Sequence, residues 1–238
     1  MAQYICRYRK GEPLRWIGHL DLKRTLERAM RRARLPLELT QGHNPHPKMS
    51  FGPPLPLSAT GEAEVFSLHL AEPLTAEQLK ERLSAQLPAG FDLTDVWIVP
   101  GYKKKETFGD IGVAEYRVTV ATDLSLAEMH ARIRDLLSRE EIMVARGGER
   151  PERSVDLRPL IFALRAEETG EDEVVLTMKL RTGSHGGARP QEIVSLLELD
   201  DPDRAVRICR TALAVEGELA PERPKPALRR KWGRTRNQ

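Results

Sequence analysis

Cysteine is almost missing from this 238-residue chain, with Cys6 and Cys209 the only two. That excludes a disulfide framework, a cysteine-only zinc site and an iron–sulfur cluster held by a CxxxCxxC motif. Both thiols are expected to be buried. Long apolar runs are missing too, so no stretch of about eighteen residues could span a membrane. The N-terminus, MAQYICRYRKGEP, lacks the apolar core of a signal peptide and reads as a strand, which implies a cytoplasmic protein. Aromatics are scarce at 5 %. No GxSxG elbow, HExxH pair, Walker loop or GxGxxG fingerprint is present. These absences remove the commonest hydrolase, protease and nucleotide-binding classes, and no cofactor is indicated.

What the chain does have is charge, unevenly placed. The formal net charge is only +3. Between Lys23 and Arg34, however, six Lys or Arg residues face one acid, Glu27. The tail from Lys225 to Gln238 holds six basic residues and no acid, while acids gather at Glu167–Glu173 and Glu198–Asp203. Segregated charge makes a local positive field that attracts phosphates.

Periodicity orders the first half as βαββαβ. Tyr4–Tyr8 alternates as a strand, and a helix follows with Leu22, Leu26, Ala29, Met30 and Ala33 as its apolar stripe. Asp21 is the expected N-cap and Pro36 the expected stop. Leu37–Thr40 and Glu64–Leu70 read as strands around a proline-rich loop. Thr75 caps a helix with Leu79, Leu83 and Leu87 on one face, and Phe91–Val99 reads as a strand. After a linker over Pro100–Gly112, the pattern repeats. Strands are expected at Glu115–Ala121, Ile142–Ala145, Val155–Glu167 and Glu173–Arg181, with helices at Leu126–Leu137 and Pro190–Leu197. Ala205–Glu216 fits either a strand or a helix. The expected fold is α+β: two tandem ferredoxin-like (βαββαβ) domains, 1–100 and 113–219, joined by a linker at 101–112. A disordered basic tail covers 220–238.

Three groups of residues could carry function. Arg24, Arg28, Arg31 and Arg32 lie opposite the apolar stripe of the first helix. Guanidinium forks there match phosphate oxygens, which positions nucleic acid without reading its sequence. The loop GHNPHPKMSFGPPLP holds His43, His46, Lys48 and Phe51 on a backbone restricted by proline. The histidines and Lys48 suit phosphates, and Phe51 suits an unpaired base. His19 and His46 are also candidates for acid–base RNA cleavage. Metal binding by His43 and His46 is a third reading, without an acidic or thiol ligand nearby in sequence, so no metal site is assigned. Third, RTGSHGGARP offers Gly183, Gly186 and Gly187 before a helix start, with His185 and Arg189 beside them, as a second anion contact. Asp156 and Arg158 in SVDLRPLI are equally well explained as structural hydrogen-bonding groups.

YRKGEPLRWIGHLDLKRTLERAMRRARLPL, followed by QGHNPHPKMSFGPPLPLSATGEAEVFSLHL, resembles the bacterial radical-SAM-linked protein family. VDLRPLI and ARPQEIV extend the resemblance more weakly into the second half. The resemblance implies a bacterial accessory protein working with a separate radical-SAM enzyme, since this chain lacks the cluster cysteines itself. It supplies no catalytic residues. A pair of ferredoxin-like domains is also similar to the CRISPR repeat-processing endonucleases at the level of fold. The leading expectation is an accessory protein that binds RNA, with rRNA or tRNA as its partner. A metal-independent ribonuclease and a protein-binding adaptor for the radical-SAM enzyme are the alternatives.

Overall fold

The computed structural model describes residues 2–99, 108–147, 153–170, 172–183, 186–202 and 205–215. Residues 101–107 of the expected linker (101–112) and the expected tail at 220–238 lie outside them, as does His185, while the rest of that linker is a 3-10 turn at Phe108–Asp110 and the start of a strand at Ile111. The chain is α+β and divides into two compact units, residues 1–111 with 212–238, and residues 112–211.

In the first unit, β1 (Ala2–Lys10), α1 (His19–Arg32), β2 (Met49–Phe51), β3 (Ala59–Leu70), α2 (Ala76–Ser84) and β4 (Phe91–Val99) follow in order. The strands lie in the order β4-β1-β3, with β2 on the far side of β3. β1 is antiparallel to both neighbours, so Tyr4 faces Leu68 and Ile98, and Cys6 faces Phe66 and Val96. Tyr4, Cys6, Tyr8, Phe66 and Leu68 pack with Leu22, Leu26, Ala29, Met30, Leu79 and Leu83 in one core. This is the stripe that the 3.6-residue period predicted for α1. Each of these large apolar side chains contributes about 1.5–3 kcal/mol by leaving water.

Several local expectations need correction. The N-cap of α1 is Gly18 and not Asp21, so His19 opens the helix. The helix ends at Arg32 with Arg34 in the left-handed region (φ 50°), before Pro36 can act. Leu37–Thr40 is not a regular strand. Isolated bridges join Leu37 to Leu70 and Leu39 to Pro47, and the regular pairing is β2 on β3. Prolines explain this, because Pro36, Pro45 and Pro47 have no N–H to extend a ladder. Thr75 does cap α2, within a full capping box with Gln78.

The second unit contains β5 (Ile111–Ala121), α3 (Leu126–Ser138), β6 (Met143–Arg146), β7 (Arg153–Asp156), β8 (Ile161–Gly170), β9 (Glu173–Arg181), α4 (Pro190–Leu196) and β10 (Val206–Val215). Ile111 and the last four residues of β10 fall in the first unit. The sheet order is β10-β5-β9-β8, and among the described residues β6 and β7 form a separate two-stranded sheet. The ambiguous stretch at 205–216 is thus a strand. The strand expected over Val155–Glu167 is broken by a 3-10 turn at Arg158–Leu160, where Pro159 sits. Asp156 Oδ1 accepts from the amides of Ile142 and Arg158, and Arg158 Nε donates to Leu137 O. Both residues therefore fasten α3 and the β6–β7 hairpin. Among the described residues, no helix is long and apolar enough to cross a membrane.

Candidate nucleic-acid interface

The amphipathic sequence of α1 decides which groups meet solvent. With Leu22, Leu26, Ala29 and Met30 buried, the helical period turns Leu20, Arg24, Arg28 and Arg31 to the opposite side, and all four are exposed. Arg24 pairs with Asp21 at 3.2 Å, both side chains being about two-thirds exposed. A pair so exposed is weak and exchanges readily for a phosphate. Arg28 and Arg31 have no ion-pair or hydrogen-bond partner among the described residues. Arg32 differs, because its guanidinium donates to Gln86 O at 2.6 Å and ties α1 to the end of α2.

The segment after α1 folds as a proline-braced hairpin. Lys48 N donates to Glu38 O, Glu38 N to His69 O, and His69 N to Lys48 O, which lays it along the end of β3. Thr40 and His46 close the tip reciprocally: Thr40 N donates to His46 O at 2.8 Å, and His46 N to Thr40 Oγ1 at 3.0 Å. His43 and His46 are consequently exposed. Lys48 is only partly exposed and forms an ion pair with Glu38, so its charge is largely answered inside the protein. Glu38 also approaches His69 Nδ1 at 4.0 Å. Burial lowers the pKa of His69; the Glu38 carboxylate opposes that shift and Lys48 reinforces it.

Phe51 lies half-buried, edge-on to His19 (centroids 5.1 Å apart) and tilted against Phe66 at 5.8 Å. It joins the prolines to the first turn of α1. A small hollow there, with room for about one water molecule, is lined by Tyr8, Lys10, His19, Phe51, Pro53 and Glu64, among others. Lys10 and Glu64 are both buried. Lys10 Nζ donates to Arg15 O at 3.2 Å and to Ala59 O at 3.3 Å. Burial lowers the pKa of His19, with help from Lys23, which favours the neutral ring. The sequence reading missed Lys10 and Glu64, for which a charge in phase with the apolar residues of its strand (Tyr4, Cys6 and Tyr8; Phe66, Leu68 and Leu70) was the available signal. No described contact joins His43 or His46 to the arginines of α1.

The glycine-rich segment of the second unit is occupied by its own chain. Gly183 and Gly186 take positive φ, and a side chain at Gly187 would come within 2.5 Å of Arg181 O. Arg189 is the N-cap of α4, and its amide donates to Glu192 Oε2 at 2.9 Å. Arg146 clamps that same carboxylate with two bonds of 2.6 and 2.7 Å and also donates to Gly187 O. A carboxylate of the protein thus sits where the free anion was expected. In the core of the first unit, burial pushes the Cys6 thiol up, leaving it inert.

These features define an α+β protein with an arginine-faced helix and a braced histidine hairpin in its first unit. The chain belongs to the bacterial family described as an uncharacterized protein conserved in bacteria (DUF2344), whose model matches residues 3–190. No curated protein matches the sequence. Among solved structures it is similar to a chain of a Cbf5-Nop10-Gar1 complex, with a TM-score of 0.47 and 10% identity over 89% of this chain and 48% of that one. A chain of an H/ACA RNP bound to a substrate RNA containing 2'-deoxyuridine gives 0.46 and 12% identity, over 88% and 47%. One of the archaeal box H/ACA sRNP Nop10-Cbf5 complex gives 0.43 and 11%, over 89% and 47%. The chain spans about half the length of these three.

Proposed function

We propose that this protein binds RNA through the arginine face of α1, with the exposed tip carrying His43 and His46 as an auxiliary contact. One observation carries the reading: Arg24, Arg28 and Arg31 are held in one exposed row by a helix whose other side is the core. The rigid backbone spares most of the ordering cost of a flexible basic segment. Guanidinium groups spaced along about 10 Å of helix axis suit successive phosphates. Phosphate contacts of this kind position a strand without specifying it.

On this reading the protein is a cytoplasmic accessory factor that holds rRNA or tRNA for a radical-SAM partner. Each unit is a split βαβ of ferredoxin-like type, at 1–100 and 113–219, an assignment favoured by the strand orders β4-β1-β3-β2 and β10-β5-β9-β8. The linker expected at 101–112, which ends at Asp110 because β5 starts at Ile111, and the basic tail at 220–238 complete this organisation. Gly183, Gly186 and Arg189 contribute a second contact only where Glu192 and Arg146 release the α4 end. Lys48 contributes in proportion to how far it leaves Glu38.

A metal-independent ribonuclease is the second reading, favoured by the placement of His19, whose pKa is lowered by burial, in the lining of one hollow with Lys10 and Glu64. Incubating the purified protein with labelled RNA separates the two readings. Retention of intact RNA supports the accessory role, and appearance of product that disappears in His19→Gln supports the nuclease. Crosslinking in cells, comparing the natural chain with Arg28→Glu/Arg31→Glu, tests the face itself. Equal RNA recovery from both would remove the arginine face as the contact, and recovery of RNA from neither would leave a protein-binding adaptor.

A further inference from the structure

Trp16 is 65% exposed in a chain with few aromatics, and the α1 arginines alone do not account for it. It stands on a rigid turn. Leu14, two residues earlier, is buried, and Ile17 N donates to Leu14 O at 2.9 Å. Arg15 O accepts from the buried Lys10 Nζ at 3.2 Å and from Ser58 N at 3.0 Å. The Arg15 guanidinium lies 4.6 Å from the centre of the Trp16 ring, a cation–π distance, while its other end meets Glu12 at 3.1 Å. One side of the indole is therefore supported while most of its surface stays open to water.

The neighbours form a patch. Leu20 is 67% exposed and Leu57 57% exposed, and the Ser58–Arg15 hydrogen bond brings Leu57 beside the same turn. Leu20 opens the solvent row that continues through Arg24, Arg28 and Arg31. The nearby acids are engaged, Glu12 by Arg15 and Asp21 by Arg24. A flat aromatic ring at the head of a row of guanidinium groups is complementary to a strand that presents a bare base and then phosphates. Duplex RNA offers no such base, because its faces are stacked on one another.

We propose that Trp16, backed by Arg15, is a stacking platform for one unpaired base of a single-stranded stretch of RNA whose backbone follows Arg24, Arg28 and Arg31. The proposal rests on the RNA reading above and narrows its substrate from RNA in general to RNA with an accessible single-stranded segment. Leu20 and Leu57 would border the base and exclude water. Phe51, the aromatic singled out from sequence, has its ring engaged by His19 and Phe66, so the open platform is Trp16.

The test uses the whole chain with a labelled oligouridine and a blunt-ended RNA duplex of equal length. Trp16→Ala is expected to weaken oligouridine binding about ten-fold or more, the usual scale of one lost stack, and to leave duplex binding within about two-fold. Trp16→Phe is expected to retain most of the affinity, which shows that the aromatic face is what matters. Because Trp16 is largely exposed, circular dichroism and thermal melting should match the natural chain. Oligouridine binding unchanged in Trp16→Ala would overturn the platform while leaving the RNA reading standing, and would assign the patch to a protein contact. Equal losses for oligouridine and duplex would overturn it as well. If the natural chain binds neither probe, the RNA reading falls and the platform with it.

Discussion

Removing two charges from α1 gives the sharpest test of the arginine face, because the magnitude follows from which arginines are available. Arg28 and Arg31 are exposed with no described partner, Arg24 shares Asp21, and Arg32 is committed to Gln86. Arg28→Gln/Arg31→Gln should therefore delete two phosphate contacts and little else. Arg31 lies in the last turn of α1, so its loss costs the helix no more than about 1 kcal/mol through the dipole. For single-stranded RNA each lost contact makes the slope of log K against log salt about 0.7 shallower, and two make it about 1.4 shallower. Referred to 1 M salt, binding should be about 25-fold weaker at 0.1 M but only about 5-fold weaker at 0.3 M. Fluorescence anisotropy over a salt series, with the same labelled RNA and both proteins, reads this directly. An unchanged slope, or the same fold loss at every salt concentration, would refute the counterion argument and with it the phosphate-contact assignment.

Other consequences concern the scaffold. Tyr4 is fully buried, and its hydroxyl both accepts from Leu74 N and donates to Leu74 O at 2.8 Å. Tyr4→Phe leaves both groups of Leu74 unanswered and should cost about 1–3 kcal/mol in urea unfolding, whereas a loss below about 0.5 kcal/mol would mean water replaces the hydroxyl. Arg146→Ala strands a mostly buried Glu192 carboxylate and should destabilise by about 3 kcal/mol, with Glu192→Gln/Arg146→Met recovering part of it. Burial, first among the causes, holds the pKa of both His19 and His69 below the ordinary histidine value of 6.5. The unfolded chain then binds more protons, so stability is full above about 6.5 and declines as pH falls through the lowered folded values. His19→Gln should flatten that decline in denaturation curves taken between about pH 7.5 and 5; an equally steep decline would assign the acid sensitivity elsewhere.

Local pattern carried much of the architecture. The spacing of Leu22, Leu26, Ala29 and Met30 was sufficient to predict both the buried stripe of α1 and the arginine row opposite it, because a helix converts sequence period directly into direction. Thr75 likewise announced the start of α2, since an N-cap acts on the amides of the first turn only; the Gln78 half of its capping box was added by the structure. The extended alternation of EYRVTVA and EVVLTMKLR marked β5 and β9 for the same reason.

What the sequence could not determine were the pairings between distant residues and the answers they give to charge. Lys48 reads as a free cation until folding sets Glu38 beside it, and the α4 start reads as an anion site until Arg146 fixes Glu192 there. Phe51 reads as an open ring until His19 and Phe66 enclose it, while Trp16, passed over as one apolar residue among many, is left outside by the turn that buries Leu14. The sequence by itself determined which side of α1 would carry positive charge. Tertiary structure alone decided which of the charges and rings stay available, because neutralisation and burial depend on partners that lie between 10 and 46 residues away in the pairs above.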